Sequence, residues 1–139
     1  MRTLAPMVAA AGLLLAADNQ SKSELDRYQG TWVLVVEEFG GRRVPSERLP
    51  DLSYTVRGDK VFFTTNGKER SATVKFDPSK SPKTYDLLRD DGLLSLKGIY
   101  TWDGDNIRIC SADDQGDRPT AFRTEPGSKN RIRAWSRKK

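Results

Sequence analysis

Any chemistry that this chain performs must proceed without histidine. None of the 139 residues is His, and the single Cys is Cys110. Ser-His-Asp catalysis, Cys-His catalysis and histidine-ligated zinc all need an imidazole, so these three kinds of site are excluded. A single cysteine also excludes a disulfide within the chain. Cys110 ends the apolar run Ile107–Cys110, which predicts a packed strand end rather than a nucleophile.

Carboxylates are the remaining candidates for catalysis or metal binding. A pair such as Glu37 and Asp86 could act as the acid and base of a glycosidase, but no sequence pattern sets their separation. The acids that could bind calcium are Asp103, Asp105, Asp113, Asp114 and Asp117. Asp103–Asn106 has the composition of a hairpin turn, and the closing Glu of an EF-hand loop is missing. We expect no catalytic residue, no metal and no cofactor.

Residues 1–17 have the composition of a secretory signal peptide. Arg2 gives a basic start, and the fourteen residues Leu4–Ala17 carry no charge. This stretch is shorter than the roughly 20 residues of a membrane-spanning helix. The alternative is an apolar N-terminal helix of an intracellular fold, which Pro6 disfavours. The sequence therefore predicts an exported domain over residues 18–139, periplasmic or secreted, with no membrane span after cleavage.

The net charge of +5 belongs to the C-terminal end of the chain. Six basic residues and no acid lie there: Lys129, Arg131, Arg133, Arg137, Lys138 and Lys139. The rest of the chain consequently carries a net charge of −1. Nucleic-acid-binding proteins spread basic residues over a face and interleave aromatic ones, whereas only Trp135 lies in this segment. We expect a basic last strand and no nucleic-acid partner.

Short strands joined by turns account for most of the remaining sequence. Runs of β-branched and aromatic residues recur about every 8 to 12 residues between Gly, Pro, Asn and Asp. The predicted strands are Thr31–Glu38, Leu52–Arg57, Lys60–Thr65, Glu69–Phe76, Lys83–Leu88, Leu94–Trp102, Ile107–Ser111 and Arg131–Ser136. Asn66-Gly67 predicts a type I′ hairpin turn, and Ser21 or Ser23 could cap a short helix before the first strand.

Eight strands in this order predict an all-β fold, an antiparallel up-and-down barrel with a short N-terminal helix. A small open sheet would expose two edges, and no amphipathic helix is long enough to cover its face. The interior of an eight-stranded barrel is just wide enough to be filled by side chains or to hold one small ligand.

Several short motifs, taken in their order and spacing, match a known pattern. They are Gln29–Trp32, Val44-Pro45, Lys83–Leu87, Gly98–Tyr100, Asp103–Asp105, Ile107–Cys110 and Arg118–Phe122. Together they resemble the small uncharacterised lipocalin-like domain family that is expanded in planctomycete bacteria. The resemblance implies an exported G-x-W barrel, in which Gly30 and Trp32 form the signature. It also implies that Arg137 or Arg133 of the last strand stacks over Trp32 at the closed end.

Two functions are compatible with such a barrel. The first is binding of a small apolar or amphipathic molecule in the cell envelope by a monomer without catalytic activity. The interior aromatic residues that would contact it are Tyr54, Phe62, Phe76, Tyr100, Trp102 and Phe122. In the alternative, side chains fill the barrel, which is then a ligand-free structural or protein-interaction module. A cavity of about 300 Å³ or more, open opposite Trp32, distinguishes the first function from the second.

Overall fold

A computed structural model describes residues 19–91, 94–112 and 116–139. Helix α1 spans residues 19–27, and a 3-10 turn lies at Ser46–Arg48. The nine strands within the described residues are β1 Gly30–Phe39, β2 Arg42–Arg43, β3 Ser53–Arg57, β4 Lys60–Thr65, β5 Lys68–Asp77, β6 Thr84–Leu88, β7 Leu94–Asp103, β8 Asn106–Ala112 and β9 Asn130–Arg137. The predicted signal peptide lies outside the described residues. None of the described helices is long and apolar enough to cross a membrane.

Eight of these strands form a closed antiparallel barrel. Each of the strands from β4 to β9 pairs with its predecessor, β3 pairs with β1, and β9 returns to β1. The closing ladder extends from Trp32 opposite Arg137 to Phe39 opposite Arg131. β2 only extends the end of β1 by a two-residue hairpin arm. The predicted all-β, up-and-down, eight-stranded barrel with a short N-terminal helix is confirmed.

Turn residues behave largely as their types predict. Asn66 and Gly67 have φ values of 52° and 76°, so the positive φ at both positions that a type I′ turn needs is present. The short N-terminal helix lies where it was predicted, but neither Ser21 nor Ser23 caps it. Because α1 already includes residue 19, Ser21 and Ser23 lie inside it. The Ser21 hydroxyl instead donates to the carbonyl of Phe76 at 3.4 Å.

A bulge in β1 changes which side chains face the barrel interior. The register against β9 shifts between Leu34 and Val36, so that Val35 is an extra residue on the outside of the wall. Leu34 lies opposite Trp135, whereas after the bulge it is Glu37 that lies opposite Arg133. Simple alternation from Leu34 would have turned Glu37 outward; the bulge turns it inward.

The closed end of the barrel is filled by aromatic side chains and covered by α1. Trp32 and Tyr28 are fully buried, and the Trp32 indole donates to the Tyr28 carbonyl at 2.9 Å. The Glu24 carboxylate of α1 accepts hydrogen bonds from the Tyr100 hydroxyl at 2.6 Å and from the Trp102 indole at 2.8 Å. The helix is thereby joined to the barrel floor by a charged acceptor as well as by packing.

Arg137 completes this end of the barrel from the last strand. Its guanidinium lies 4.8 Å from the centroid of the Trp32 ring, and it also donates to the carbonyl of Arg27. Gly30 has φ +117°, and the Arg137 side chain passes over it at the distance where a Cβ would begin to touch. The predicted stacking of a last-strand arginine on Trp32 is confirmed for Arg137 and is wrong for Arg133, which pairs with Glu37.

A second layer lies on the outside of the barrel wall. Residues 116–129, here called the strap, run over the outer faces of β7, β8 and β9. Phe122 of the strap packs against a small buried cluster of Ile99, Cys110 and Ile132. Arg118 pairs with Asp86 at 2.6 Å, and Thr124 donates to Glu38 at 2.9 Å. Cys110 is fully buried beneath the strap, in agreement with the expectation of a packed strand end.

Candidate functional site

The barrel contains a cavity of about 350 Å³ at the end opposite Trp32. It is lined by residues of β3, β4, β6, β7, β8 and β9, together with Leu52 just before β3. The lining side chains are Leu52, Ser53, Tyr54, Val61, Phe63, Thr64, Thr65, Tyr85, Leu87, Ser95, Leu96, Ile109, Ser111, Arg133 and Trp135. The lining is thus mainly apolar with a few hydroxyl groups, which is the usual composition of a small-molecule site.

Three tyrosines form the boundary between this cavity and the filled half of the barrel. The Tyr28 hydroxyl donates to that of Tyr54 at 2.5 Å and shares a 2.9 Å hydrogen bond with that of Tyr85. Burial raises the pKa of all three hydroxyls, so they are neutral at physiological pH. Three hydroxyl protons and two hydrogen bonds between them leave one proton to donate. Tyr54 and Tyr85 are the members that line the cavity.

An arginine pair and one buried carboxylate lie at the mouth of the cavity. Arg133 Nε and Nη2 both lie 2.9 Å from Glu37 Oε1, and Arg131 Nε lies 3.5 Å from the same oxygen. Glu37 is only 8% exposed, so the bulge in β1 has placed a largely buried carboxylate beneath the two arginines. Two guanidinium groups on one carboxylate leave a net charge of +1 in this cluster.

The predicted ligand-contacting residues divide between the cavity and the filled half of the barrel. Tyr54 lines the cavity as expected. Phe76, Tyr100 and Trp102 do face the interior, but they belong to the packed closed end beneath α1. Phe76 and Tyr100 contact each other edge to face, with ring centroids 4.9 Å apart. These three residues therefore pack on the closed-end side of the tyrosine cluster and do not line the cavity.

The expectation is wrong for the two remaining aromatic residues, which lie outside the barrel interior. In β4, Val61 and Phe63 belong to the interior core, so the intervening Phe62 projects outward, where the Arg57 guanidinium lies 5.6 Å from its ring. Phe122 belongs to the strap and packs on the outer cluster. A run of adjacent aromatic residues does not show by itself which of them faces inward.

Several cavity residues were missed from sequence. Trp135, Tyr85 and Ile109 form part of the cavity wall, and Arg133 is its charged member. The alternation of Arg133 and Trp135 in β9 was a usable signal, because it places both on one face. The many basic residues of the last strand instead favoured an interpretation of Arg133 as part of a solvent-exposed basic segment.

No model of a protein family, no curated protein and no solved structure gives a significant match. The resemblance to lipocalin-like barrels therefore rests on the motifs and on the closed barrel, and membership of the planctomycete family stays a prediction.

The candidate catalytic carboxylates lie on opposite sides of the barrel wall. Glu37 faces the interior with two arginines, whereas Asp86 lies outside in a two-pronged contact with Arg118 at 2.6 and 3.2 Å. They cannot flank one bond of a substrate. Both are also ion-paired, Glu37 with Arg133 and Asp86 with Arg118.

The candidate calcium ligands do not form a cluster in the described part of the chain. Asp103 and Asp105 flank Gly104, whose φ of 60° places it in an ordinary hairpin turn. No three metal-binding side chains among the described residues come together. Asp113 and Asp114 lie outside the described residues, and Asp117 belongs to the strap.

A larger hollow of about 770 Å³ lies outside the barrel, between the strap and the end of β5. Two pairs lie among its polar groups: Arg118 binds Asp86, and the Asp77 carboxylate accepts from the Ser79 hydroxyl at 2.5 Å. Hydrogen bonding by Ser79 lowers the pKa of Asp77. We regard the smaller cavity as the candidate binding site, because it lies inside the barrel and its lining is mainly apolar.

Proposed function

We propose that this protein is an exported, lipocalin-like binding barrel whose open-end cavity holds one small apolar or amphipathic molecule. The observation that carries the proposal is the cavity itself, about 350 Å³ in volume and open opposite Trp32. Ligand sites begin at about 300 Å³, so this volume is at the small end of the range. A molecule of about twenty non-hydrogen atoms is the size that fits.

The division of the interior into two halves supports the same function. At the closed end, Trp32, Tyr28 and Tyr100 fill the space and bury each other's surfaces. At the open end, Leu87, Leu96 and Ile109 line empty space instead of filling it. If the barrel were only a structural module, we would expect those positions to carry larger side chains that pack across the lumen.

The absence of histidine, and the ion pairing of Glu37 and Asp86 on opposite sides of the wall, support binding without catalysis. The last strand supports a protein without a nucleic-acid partner: Arg131 and Arg133 are directed at Glu37, and Arg137 at Trp32. These arginines therefore do not form the broad basic face that contacts a nucleic-acid backbone. We propose a monomer.

Binding can be tested with N-phenyl-1-naphthylamine, a neutral dye that fluoresces in apolar surroundings. We expect saturable binding of one dye molecule to the chain over residues 18–139. Leu87→Trp fills the cavity and should weaken binding at least about tenfold, which corresponds to about 1.4 kcal/mol. Phe62→Trp is the matched control, because it adds similar bulk on the outside of the barrel.

Two results would contradict a binding function. One is absence of saturable dye fluorescence with the folded protein, and the other is equal binding by wild type and Leu87→Trp. Either would favour the alternative, a structural or protein-interaction module. A ligand that binds only the native state should also raise the free energy of unfolding, by about 2.7 kcal/mol at a hundred times its dissociation constant.

Export is a separate part of the proposal and rests on residues 1–17. Expression in a bacterium with a secretory pathway should yield protein in the periplasm or medium that lacks these residues. Mass spectrometry of the N-terminus measures this directly. Recovery of the full-length chain from the cytoplasm alone would contradict it.

A further inference from the structure

We propose that the ligand of this cavity carries an anionic group, which pairs with Arg133 at the mouth while the apolar part of the ligand lies against the floor. This inference rests on the proposed binding function and specifies the chemistry of its ligand. The class is a singly charged anionic amphiphile, with a carboxylate, sulfonate or phosphate group as the head.

The positive charge at the cavity favours an anionic ligand. Arg133 is the only charged side chain among the described residues that line it. Glu37 neutralises one of the two guanidinium groups that approach it, and the cluster retains a positive charge close to a low-dielectric interior. The Arg131 and Arg133 side chains remain 36% and 30% exposed, so an incoming anion can reach this surplus positive charge. Beside an apolar wall the attraction between the charges is stronger than in water.

The hydrogen bonding of Arg133 and Arg131 is a second observation that favours an anionic ligand. Arg133 directs Nε and Nη2 at Glu37, and its Nη1 has no hydrogen bond to another described residue. Arg131 Nε is buried and has no hydrogen-bond partner within the described chain, since the 3.5 Å approach to Glu37 is too long for one. Buried donors are almost always satisfied in native proteins. Arg131 does not itself line the cavity, so the donor that a bound anionic oxygen would meet there is Arg133 Nη1.

The opposite end of the cavity fits the rest of an amphiphile. Tyr54 and Trp135 pack edge to face with ring centroids 4.6 Å apart, and Ile109 lies beside them. No acidic side chain lines the cavity within the described residues. A cation would meet an unfavourable charge at the mouth, and a neutral molecule would leave Arg133 only partly compensated.

Two dyes that share one anilinonaphthalene body can measure the contribution of the charge. N-phenyl-1-naphthylamine is neutral, and 8-anilinonaphthalene-1-sulfonate carries one sulfonate. We expect the wild type to bind the sulfonate about tenfold more tightly, as one charge-assisted hydrogen-bonded pair would give. Raising the ionic strength should reduce this preference without changing binding of the neutral dye.

Variants at the mouth should shift the preference in opposite directions. Arg133→Met keeps the apolar stem, and it should abolish the preference for the sulfonate over the neutral dye. Glu37→Gln removes the competing carboxylate and should increase the preference about tenfold. Arg57→Met is the control, because Arg57 lies over Phe62 on the outer wall. Thermal unfolding of each variant verifies that it is folded.

The possible outcomes separate this inference from the binding function on which it rests. If neither dye binds, the proposed function fails. If both dyes bind the wild type equally, or if Arg133→Met and Glu37→Gln leave the preference unchanged, the cavity binds ligands but does not select an anion, and the inference is overturned. Should Arg133→Met not fold, the Glu37→Gln variant and the ionic-strength series still decide the question.

Discussion

Single residues at the closed end join the first strand of the barrel to the last. Arg137 lies over the Trp32 ring and donates to the Arg27 carbonyl, while Gly30 leaves room for its side chain. A cation over an indole is worth about 0.5–2 kcal/mol, more when the pair is removed from water. This contact therefore adds to the β1–β9 ladder at the point where closure is completed.

Replacing Arg137 should measure that contribution. Arg137→Ala is expected to lower the free energy of unfolding by about 1–2 kcal/mol, since it removes the cation, its hydrogen bond and the packing of its stem. Urea unfolding followed by tryptophan fluorescence gives this quantity. Lys138→Ala, at the adjacent exposed position, should change it by less than about 0.5 kcal/mol. Equal unfolding midpoints for the two variants would refute a stabilising role for Arg137.

Helix α1 and the strap are not part of the hydrogen-bonded sheet of the barrel, but both pack against it. α1 covers the closed end, where Glu24 accepts hydrogen bonds from Tyr100 and Trp102 and Arg27 lies 4.2 Å from the Trp102 ring centroid. The strap covers the outer cluster around Cys110. Each buries a surface that a bare barrel would expose, so each should stabilise it measurably.

The link between α1 and the barrel can be tested at Glu24. Glu24→Ala removes the acceptor of two hydrogen bonds and should destabilise the fold by about 1–3 kcal/mol. Asp26→Ala is a matched control on an exposed position of the same helix and should be close to neutral. Denaturant unfolding supplies both values, and the emission of Trp102 should shift only in Glu24→Ala. A helix that does not stabilise the barrel would give equal values for the two variants.

Cys110 reports on the strap, because burial shields its thiol and raises its pKa. In the native wild type we expect a disulfide reagent to react with it only slowly. Phe122→Ala opens the cover and should accelerate the reaction about tenfold or more, because local opening becomes easier. Phe62→Ala truncates an outward Phe elsewhere on the wall and should leave the rate unchanged. An unchanged rate in Phe122→Ala would show that the strap does not protect the thiol.

For the molecule as a whole, the four tyrosines make stability depend on alkaline pH. The chain has four, Tyr28, Tyr54, Tyr85 and Tyr100, and the folded state raises the pKa of each, with desolvation as the largest cause. A raised pKa in the folded state means that the native protein holds its protons more tightly than the unfolded chain. The stability they contribute is complete below pH 10, the ordinary value, and falls as pH rises above it.

The expected result is a single cooperative alkaline transition. The tyrosinate absorbance near 295 nm should stay low above pH 10 and appear together with unfolding, whereas the chain in denaturant should titrate near pH 10. Each fully buried tyrosine of the central cluster removes about 1.4 kcal/mol of stability per pH unit in this range. Gradual ionisation near pH 10 with the fold intact would contradict the buried cluster.

Strands, turns and the closed end were predictable from sequence because their signals are local. Asn66-Gly67 dictates its turn through the φ values that only such residues adopt readily, and the alternation of Tyr100 and Trp102 shows one inward face of β7. The pairing of Trp32 with an arginine of the last strand was expected from the resemblance to G-x-W barrels and not from a local signal.

The inner surface of the open end depended on tertiary structure. Whether Phe62 or Phe63 faces inward is set by the register of β4 against β3, in which Val61 lies opposite Val56. Glu37 meets Arg133 only because a bulge shifts β1 by one residue against a strand about a hundred positions away in the chain. Backbone conformation follows from neighbouring residues, but the cavity and its charge arise where distant strands pair, and no local pattern encodes that register.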